Sequence, residues 1–313
     1  MLTKINLQKI KSFTISIVTI IIFVVLFSKI NIYQFAEHLK EANLFFLLLG
    51  VGIFIFTELF ISSVQWVEIL RQLNCHISLK EAMFIRIGSI PAKSMLPFRS
   101  GELLRAFYLK KQKQFPVSLG VGSLLFQLII NLLVLISIMS SAYIYFFKLD
   151  NIIFFSLILA FLFIFCILSF KFINKFILYL AKKVNFQFYE SLKALFNIHR
   201  NFKLKSLVVI LFYSVIMWVG ELFIFIFIFK TVGLDIPLYA ILIFVPWTII
   251  ISNIPITISG LGTREASIVL LFLQFGSPEK LLSSGVLMSF IQFVLPLTFS
   301  LLFLRKFLKK IMV

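Results

Sequence analysis

Pro255-Ile256-Thr257-Ile258-Ser259-Gly260-Leu261-Gly262-Thr263-Arg264-Glu265 is a polar, Gly- and Pro-punctuated stretch set between two strongly apolar arms. Arg264 and Glu265 are the only charges between Ile236 and Pro278. A counterpart lies earlier in the chain: Pro97-Phe98-Arg99-Ser100-Gly101-Glu102-Leu103-Leu104-Arg105. Each copy brings together a helix-breaking proline, a glycine, an arginine and a glutamate. Charge and irregular backbone are costly at membrane depth unless they line a cavity or are buried in protein. Two such insertions, one in each half, point to a transport pathway or a lipid-headgroup site, not a passive anchor.

The surroundings of the motifs set the class. The chain has 313 residues, 61% hydrophobic and only 13% charged, with 41 Phe. That leaves too little polar surface to coat a soluble globule, so the chain reads as an all-α, polytopic membrane protein. The net charge of +18 does not imply nucleic acid, because the basic residues fall in loops between apolar spans, where they set orientation and meet anionic headgroups. Cys75 and Cys166 and the scattered His38, His76 and His199 form no metal or triad pattern, so no metal, cofactor or catalytic residue is expected. The apolar N-terminal stretch lacks a small-residue cleavage site and reads as a retained span.

Apolar runs close to the ~20 residues a span needs occur at 13–30, 44–66, 119–141, 152–170, 206–229 and 281–304. The stretches 78–115 and 237–275, which carry the motifs, have arms short for full spans and read as re-entrant half-helix pairs. The expectation is about six full spans plus these two pairs, up to eight hydrophobic hairpin elements. Residues 31–43 pattern as an amphipathic helix on the outer surface. Lys4, Lys9 and Lys11 place the N-terminus in the cytoplasm, and the clusters at 71–113, 171–205 and 305–310 then all fall on that side, the C-terminus included. Counting 237–275 as two full crossings leaves the same final side, so charge alone does not separate the alternatives. With the first dip opening inward and the second outward, the pattern is an inverted repeat within one transmembrane domain, 1-313: repeat one about 1-150, repeat two about 151-313. Glu58 and Glu221 stand ~163 residues apart, Gly101 and Gly262 ~161.

In the first motif, Pro97 breaks the chain, Gly101 permits close packing, and Glu102 and Arg105 share a helix face. Arg99 and Arg105 suit a phosphate; Glu102 suits an arginine or a cationic headgroup. In the second, the Pro255 break, Gly260, Gly262 and Thr263 predict a helix starting near Thr263 with its N–H groups facing an anion, beside Arg264 and Glu265. The motif is neither a P-loop nor a Rossmann turn. Glu58 and Glu221 lie mid-span and read as coupling carboxylates or as partners of Arg105 or Arg264; a structural ion pair is the plainer alternative. Lys80 and Glu81 read as solvated, and the Phe-rich spans as lipid-facing packing.

The 97–105 and 260–265 segments, with Trp66 followed by Leu70-Arg71, resemble the hallmark motifs of the lysylphosphatidylglycerol synthase transmembrane-region family, also called flippase-like membrane proteins. The resemblance covers nearly the whole chain and implies a multi-span flippase-like fold. In full-length aminoacyl-phosphatidylglycerol synthases, this domain moves the modified lipid across the cytoplasmic membrane. A separate soluble domain there transfers the amino acid from aminoacyl-tRNA. Nothing polar and globular follows Val313, so a stand-alone member is expected. Such members are regarded as translocation factors for lipids or polyprenyl-linked glycans. The resemblance thus implies a non-enzymatic protein of the cytoplasmic membrane whose partners are membrane lipids: an anionic or aminoacylated lipid, or a polyprenyl-phosphate glycolipid. A glycosyltransferase or synthase is a possible protein partner. Two alternatives stay open: a membrane-embedded lipid-modifying transferase, and a non-catalytic scaffold docking an enzyme on the basic linker 171–205.

Overall fold

A computed structural model of the chain describes residues 31–95, 101–146, 203–254 and 256–312, with Ile22, Val24, Val25, Leu26 and Ser28. The expected span 152–170, nearly all of 13–30, and Pro97, Arg99, Pro255 and Cys166 lie outside the described residues. Among the described residues every regular element is helical: α1 (Ile32–Lys40), α2 (Leu44–Gln72), α3 (Leu79–Met95), α4 (Leu103–Lys113), α5 (Val117–Phe146), α6 (Leu204–Thr231), α7 (Leu238–Asn253), α8 (Thr263–Phe272) and α9 (Pro278–Ile311). Four of these are long and apolar enough to cross a bilayer: α2, α5, α6 and α9, with 29, 30, 28 and 34 residues. They match the expected spans at 44–66, 119–141, 206–229 and 281–304. The motif-bearing arms α3, α4, α7 and α8 have 17, 11, 16 and 10 residues, each short of the ~20 a crossing takes.

Local sequence explains the helix ends. Asn31 caps α1, its Oδ1 accepting from the Tyr33 and Gln34 N–H at 3.0 and 3.3 Å. Asn43 caps α2 through the Phe45 N–H, 3.0 Å. Ser277 and Pro278 open α9 as N-cap and first-turn proline. Two long helices contain a π-turn, α2 at Ile55–Ile61 and α9 at Phe290–Val294. Pro91 sits inside α3 and Pro246 inside α7, where a proline removes a helical hydrogen bond.

The chain forms two compact units. The first comprises Met1–Ile55, Ile90–Gly101 and Gly220–Ser300; the second comprises Phe56–Ser89, Glu102–Val219 and Leu301–Val313. Each unit draws on both halves of the sequence. In the first, α7 packs on α8, α8 on α9, and α9 on α1. An aromatic cluster fills its interior: Phe229 and Phe244 meet Phe272 at 4.9 and 5.6 Å between ring centroids. Some of the Phe content is therefore interior packing and not lipid-facing; Phe212 and Phe223 remain exposed.

In the second unit, Trp66, Ile69, Leu70, Ile85, Leu109, Ile130 and Phe307 form the core. The Trp66 indole N–H donates to Ser123 Oγ at 3.1 Å. Beside it runs a buried amide network. Gln127 donates to Gln65 Oε1 at 2.9 Å, and the Gln65 amide nitrogen lies 2.6 Å from Ser214 Oγ and 3.1 Å from Asn131 Oδ1. These side chains come from α2, α5 and α6, so neutral hydrogen bonds tie three spans where lipid offers no hydrophobic drive for association. Glu81 departs from the solvated expectation: it pairs with Lys113 at 3.2 Å and accepts from the Tyr108 hydroxyl at 3.3 Å. Burial, with Glu81 adding to it, pushes the Tyr108 phenol up to about 12. Cys75 is buried and free, and burial pushes its thiol up to about 11 against the opposing charge of Lys113.

Candidate functional site

The second motif is built on three left-handed residues. Ser259, Gly260 and Gly262 have φ of 52°, 81° and 86°, and they turn the chain from α7 into α8. Gly260 presses on α7: a Cβ there would stand 2.6 Å from the Ser252 carbonyl oxygen. α8 starts at Thr263 as the sequence predicts. The Thr263 hydroxyl donates to the Gly260 carbonyl at 3.1 Å and lies 3.0 Å from the Thr257 hydroxyl.

The anion at this helix N-terminus is the chain's own. Glu265 Oε2 accepts the Gly262 N–H at 2.6 Å, so that amide faces a carboxylate from the same turn. The other carboxylate oxygen accepts the Ser289 hydroxyl, and Ser289 Oγ accepts from Arg264 Nη1 at 3.0 Å. Arg264 and Glu265 are 8% and 1% exposed. Adjacent residues on a helix do not share a face; the serine from α9 links their charges. Gly285 makes this approach possible, since a Cβ there would lie 3.1 Å from Glu265 Cα.

The first motif contributes to both units. Gly101, in the first, packs on the end of α3. A Cβ there would fall 2.1 Å from the Ala92 carbonyl carbon and 2.2 Å from the Lys93 nitrogen, so any side chain would push the turn off α3. In the same unit, Ser259 Oγ of the second motif donates to the Ser94 carbonyl, 3.4 Å. The structure thus brings the end of α3 against the second motif's turn. In the second unit, Glu102 is half-buried at the start of α4, and Arg105, 3% exposed, donates through Nε to Ser89 Oγ at 2.9 Å. The Ser89 hydroxyl in turn donates a hydrogen bond to the Arg86 carbonyl at 2.8 Å.

Glu58 lies on the π-turn of α2 and is ion-paired with Arg86. Glu221 accepts a hydrogen bond from Gln292, which lies on the π-turn of α9. Each mid-span glutamate therefore sits at a π-turn or is engaged by a residue on one; such turns are frequent at functional positions.

Local geometry recurs along the chain. α2 closes with Leu73 N–H to Leu70 C=O, Asn74 N–H to Arg71 C=O and Cys75 N–H to Leu70 C=O. α6 closes with the same three bonds at Val232, Gly233 and Leu234, directed to Phe229, Lys230 and Phe229. Asn74 and Gly233 hold the left-handed position at φ 59° and 69°. The shift of ~159 residues that relates them also relates Gly101 to Gly260 and Arg105 to Arg264. Both glycines press on the preceding helix, and both arginines donate to a serine hydroxyl. By this shift Gly101 aligns with Gly260, whereas the ~161-residue offset aligns it with Gly262.

Sequence reasoning missed Arg86, Ser89, Ser289 and Gln292. Arg86 reads as one more residue of a basic cluster. Its signal was helical spacing, since Arg86, Ser89 and Gly88 form a polar, small-residue patch within α3. Ser289 and Gln292 are polar interruptions of a long apolar run, the same signal that marks Glu58 and Glu221.

With its described residues all helical, four membrane-grade spans among them and buried charge beside broken helices, the chain is a multi-pass integral membrane protein. The family model described as Lysylphosphatidylglycerol synthase TM region matches residues 12–300, and the chain belongs to that family. It thereby has a lipid-related role in the membrane. No curated protein matches the chain.

Proposed function

We propose that the protein translocates, or helps translocate, a lipid with an anionic headgroup across the cytoplasmic membrane, without covalent change to that lipid. The substrate class is an aminoacylated phospholipid or a polyprenyl-linked glycolipid. The observation that carries this reading is that the second motif, whose turn meets the α3 end through Ser259 and Ser94, also holds the buried Arg264 and Glu265 joined through Ser289. Broken helices and paired charge at membrane depth suit the passage of a polar headgroup. The recurrence at ~159 residues supports a duplication; on this reading the two copies are inverted, with 78–115 and 237–275 as re-entrant pairs and both termini cytoplasmic. Glu58 and Glu221 are the carboxylates placed to couple an ion.

Proteoliposomes carrying fluorescent phosphatidylglycerol, its aminoacylated form or a polyprenyl phosphate test the reading. Wild type should speed headgroup exposure for one of these over empty vesicles. Arg264→Gln and Glu265→Gln, matched for folded protein, should lower that rate. Unchanged rates in both variants, or a covalently altered lipid, would refute it. Cysteines placed beside Gly262 and labelled from each side test orientation: free access from the cytoplasmic side contradicts the inverted arrangement.

A further inference from the structure

The second unit ends in a basic platform that the proposed headgroup site does not use. The last turn of α4 carries Lys110, Lys111 and Lys113. The end of α9 carries Arg305, Lys306, Lys309 and Lys310. All seven are at least partly exposed. The two helix ends are tied: Gln112 Nε2 donates to the Lys310 carbonyl at 2.8 Å. Beneath them Tyr108 stacks flat on Phe307, ring centroids 5.9 Å apart. Lys310 Nζ stands 5.2 Å over the Phe84 ring and 5.9 Å over that of Tyr108. Phe307 is fully buried against Gly88, where a Cβ would meet its ring at 2.3 Å. The platform is thus fixed, with Glu81 as the acid paired into it through Lys113.

Each of its two helices changes character along one face. On α9, exposed Leu301 and Leu302 are followed one turn later by Arg305 and Lys306. On α4, exposed Leu103 and Phe107 are followed by Lys110 and Lys111. Residues four apart share a helix face, so each face runs from apolar to cationic within a turn. An acidic soluble partner would meet the charge but not the exposed Leu and Phe preceding it. Acyl chains followed by anionic headgroups match both parts, as aromatic and basic residues do at membrane interfaces.

We infer that this platform binds the anionic phospholipid headgroups of the leaflet in which α4 and α9 end, at a surface separate from the proposed translocation site. A basic residue near an anionic surface is worth on the order of fivefold in association, and the effect weakens with salt.

The test is spin-labelled phosphatidylglycerol against spin-labelled phosphatidylcholine, read by electron spin resonance on full-length protein in phosphatidylcholine vesicles. Wild type should hold phosphatidylglycerol several-fold more strongly than phosphatidylcholine, and salt should reduce the ratio. Lys110→Gln/Lys111→Gln/Lys306→Gln/Lys309→Gln should lower the ratio several-fold while melting in neutral detergent like wild type. Arg264→Gln, which alters the proposed translocation site, should leave most of the preference intact. Equal ratios for wild type and the quadruple variant overturn the inference. So does a wild-type preference abolished by Arg264→Gln alone, or tighter binding of poly-glutamate than of phosphatidylglycerol micelles.

Discussion

Replacing Gly101 by alanine tests whether the first motif is built around a backbone contact. The added methyl would lie 2.1 Å from the Ala92 carbonyl carbon and 2.2 Å from the Lys93 nitrogen, where ordinary carbon contacts are about 3.5–4 Å. Both atoms belong to helical backbone, so the conflict ends only if the turn lifts off α3. Overpacking of this kind costs about 1–3 kcal/mol, and an obstacle of backbone puts Gly101→Ala at the upper end. Gly260→Ala adds a left-handed φ of 81° to its 2.6 Å clash with Ser252, a further ~1–2 kcal/mol. Gly52→Ala is the control. Gly52 lies in α2 with nothing within 4 Å of an added Cβ, and alanine in a helix gains about 0.5–1 kcal/mol over glycine. The assay is heat-driven exposure of the buried Cys75 thiol in a Cys166→Ser background, read with a thiol-reactive dye. The melting order should be Gly52→Ala at or above wild type, then Gly101→Ala, then Gly260→Ala. Gly101→Ala melting with Gly52→Ala would refute the reasoning that this glycine is required by backbone contact.

Further expectations follow from the buried polar groups. Ser289→Ala removes the hydroxyl that joins the Glu265 oxygen to the Arg264 guanidinium; roughly 1–3 kcal/mol should appear in the same melt, and Ser289→Thr should recover much of it. Glu58→Ala should destabilise more than Arg86→Ala, because the guanidinium it leaves behind is only 11% exposed, whereas Arg86→Ala leaves a carboxylate 38% exposed and open to hydration; the double variant should be less than additive in a mutant cycle. Gln65→Leu should cost about 0.6–2 kcal/mol, the range for membrane hydrogen bonds, seen as a lower melting temperature. Alkaline pH should destabilise the fold. Cys75 rises from 9.0 to about 11 and Tyr108 from 10.0 to about 12, so their neutral forms are favoured in the folded chain. That contribution is complete below pH 9 and is lost as pH climbs through 11 and 12. Cys75→Ala and Tyr108→Phe should flatten the alkaline limb of melting temperature against pH, read by loss of helical circular dichroism because the first variant removes the thiol.

The spans were legible because they rest on composition. Twenty apolar residues cross a bilayer whatever their neighbours, and α2, α5, α6 and α9 appear where hydropathy places them. The start of α8 was legible because Gly260, Gly262 and Thr263 are local signals. Partners were not legible. Glu58 reads equally well toward Arg105 or Arg264, and Arg86 engages it because α3 runs beside the π-turn of α2, a tertiary fact that spacing does not encode. The same limit hid Ser289, which matters only because α9 lies against α8 at Gly285. The count of six to eight spans was legible only in part: four are supported among the described residues.

The self-capped start of α8 changes what the second motif asks of an anion. An open helix N-terminus beside a bare arginine would attract a phosphate strongly. Here the Gly262 amide already holds Glu265, and Ser289 couples that carboxylate to Arg264, so the resident charges are largely balanced. An arriving phosphate competes with Glu265 instead of filling a vacancy, and its net gain is smaller than the positive charge suggests. For a receptor this would be a defect. For translocation it is a requirement, because a site on a pathway must bind well enough to admit a headgroup and weakly enough to release it. Arg105 is likewise buried and donates to a serine hydroxyl, that of Ser89. On the translocation reading, Glu265 sets the release step and the arginines set the entry step, so substitution of Glu265 should slow turnover while tightening retention of the lipid.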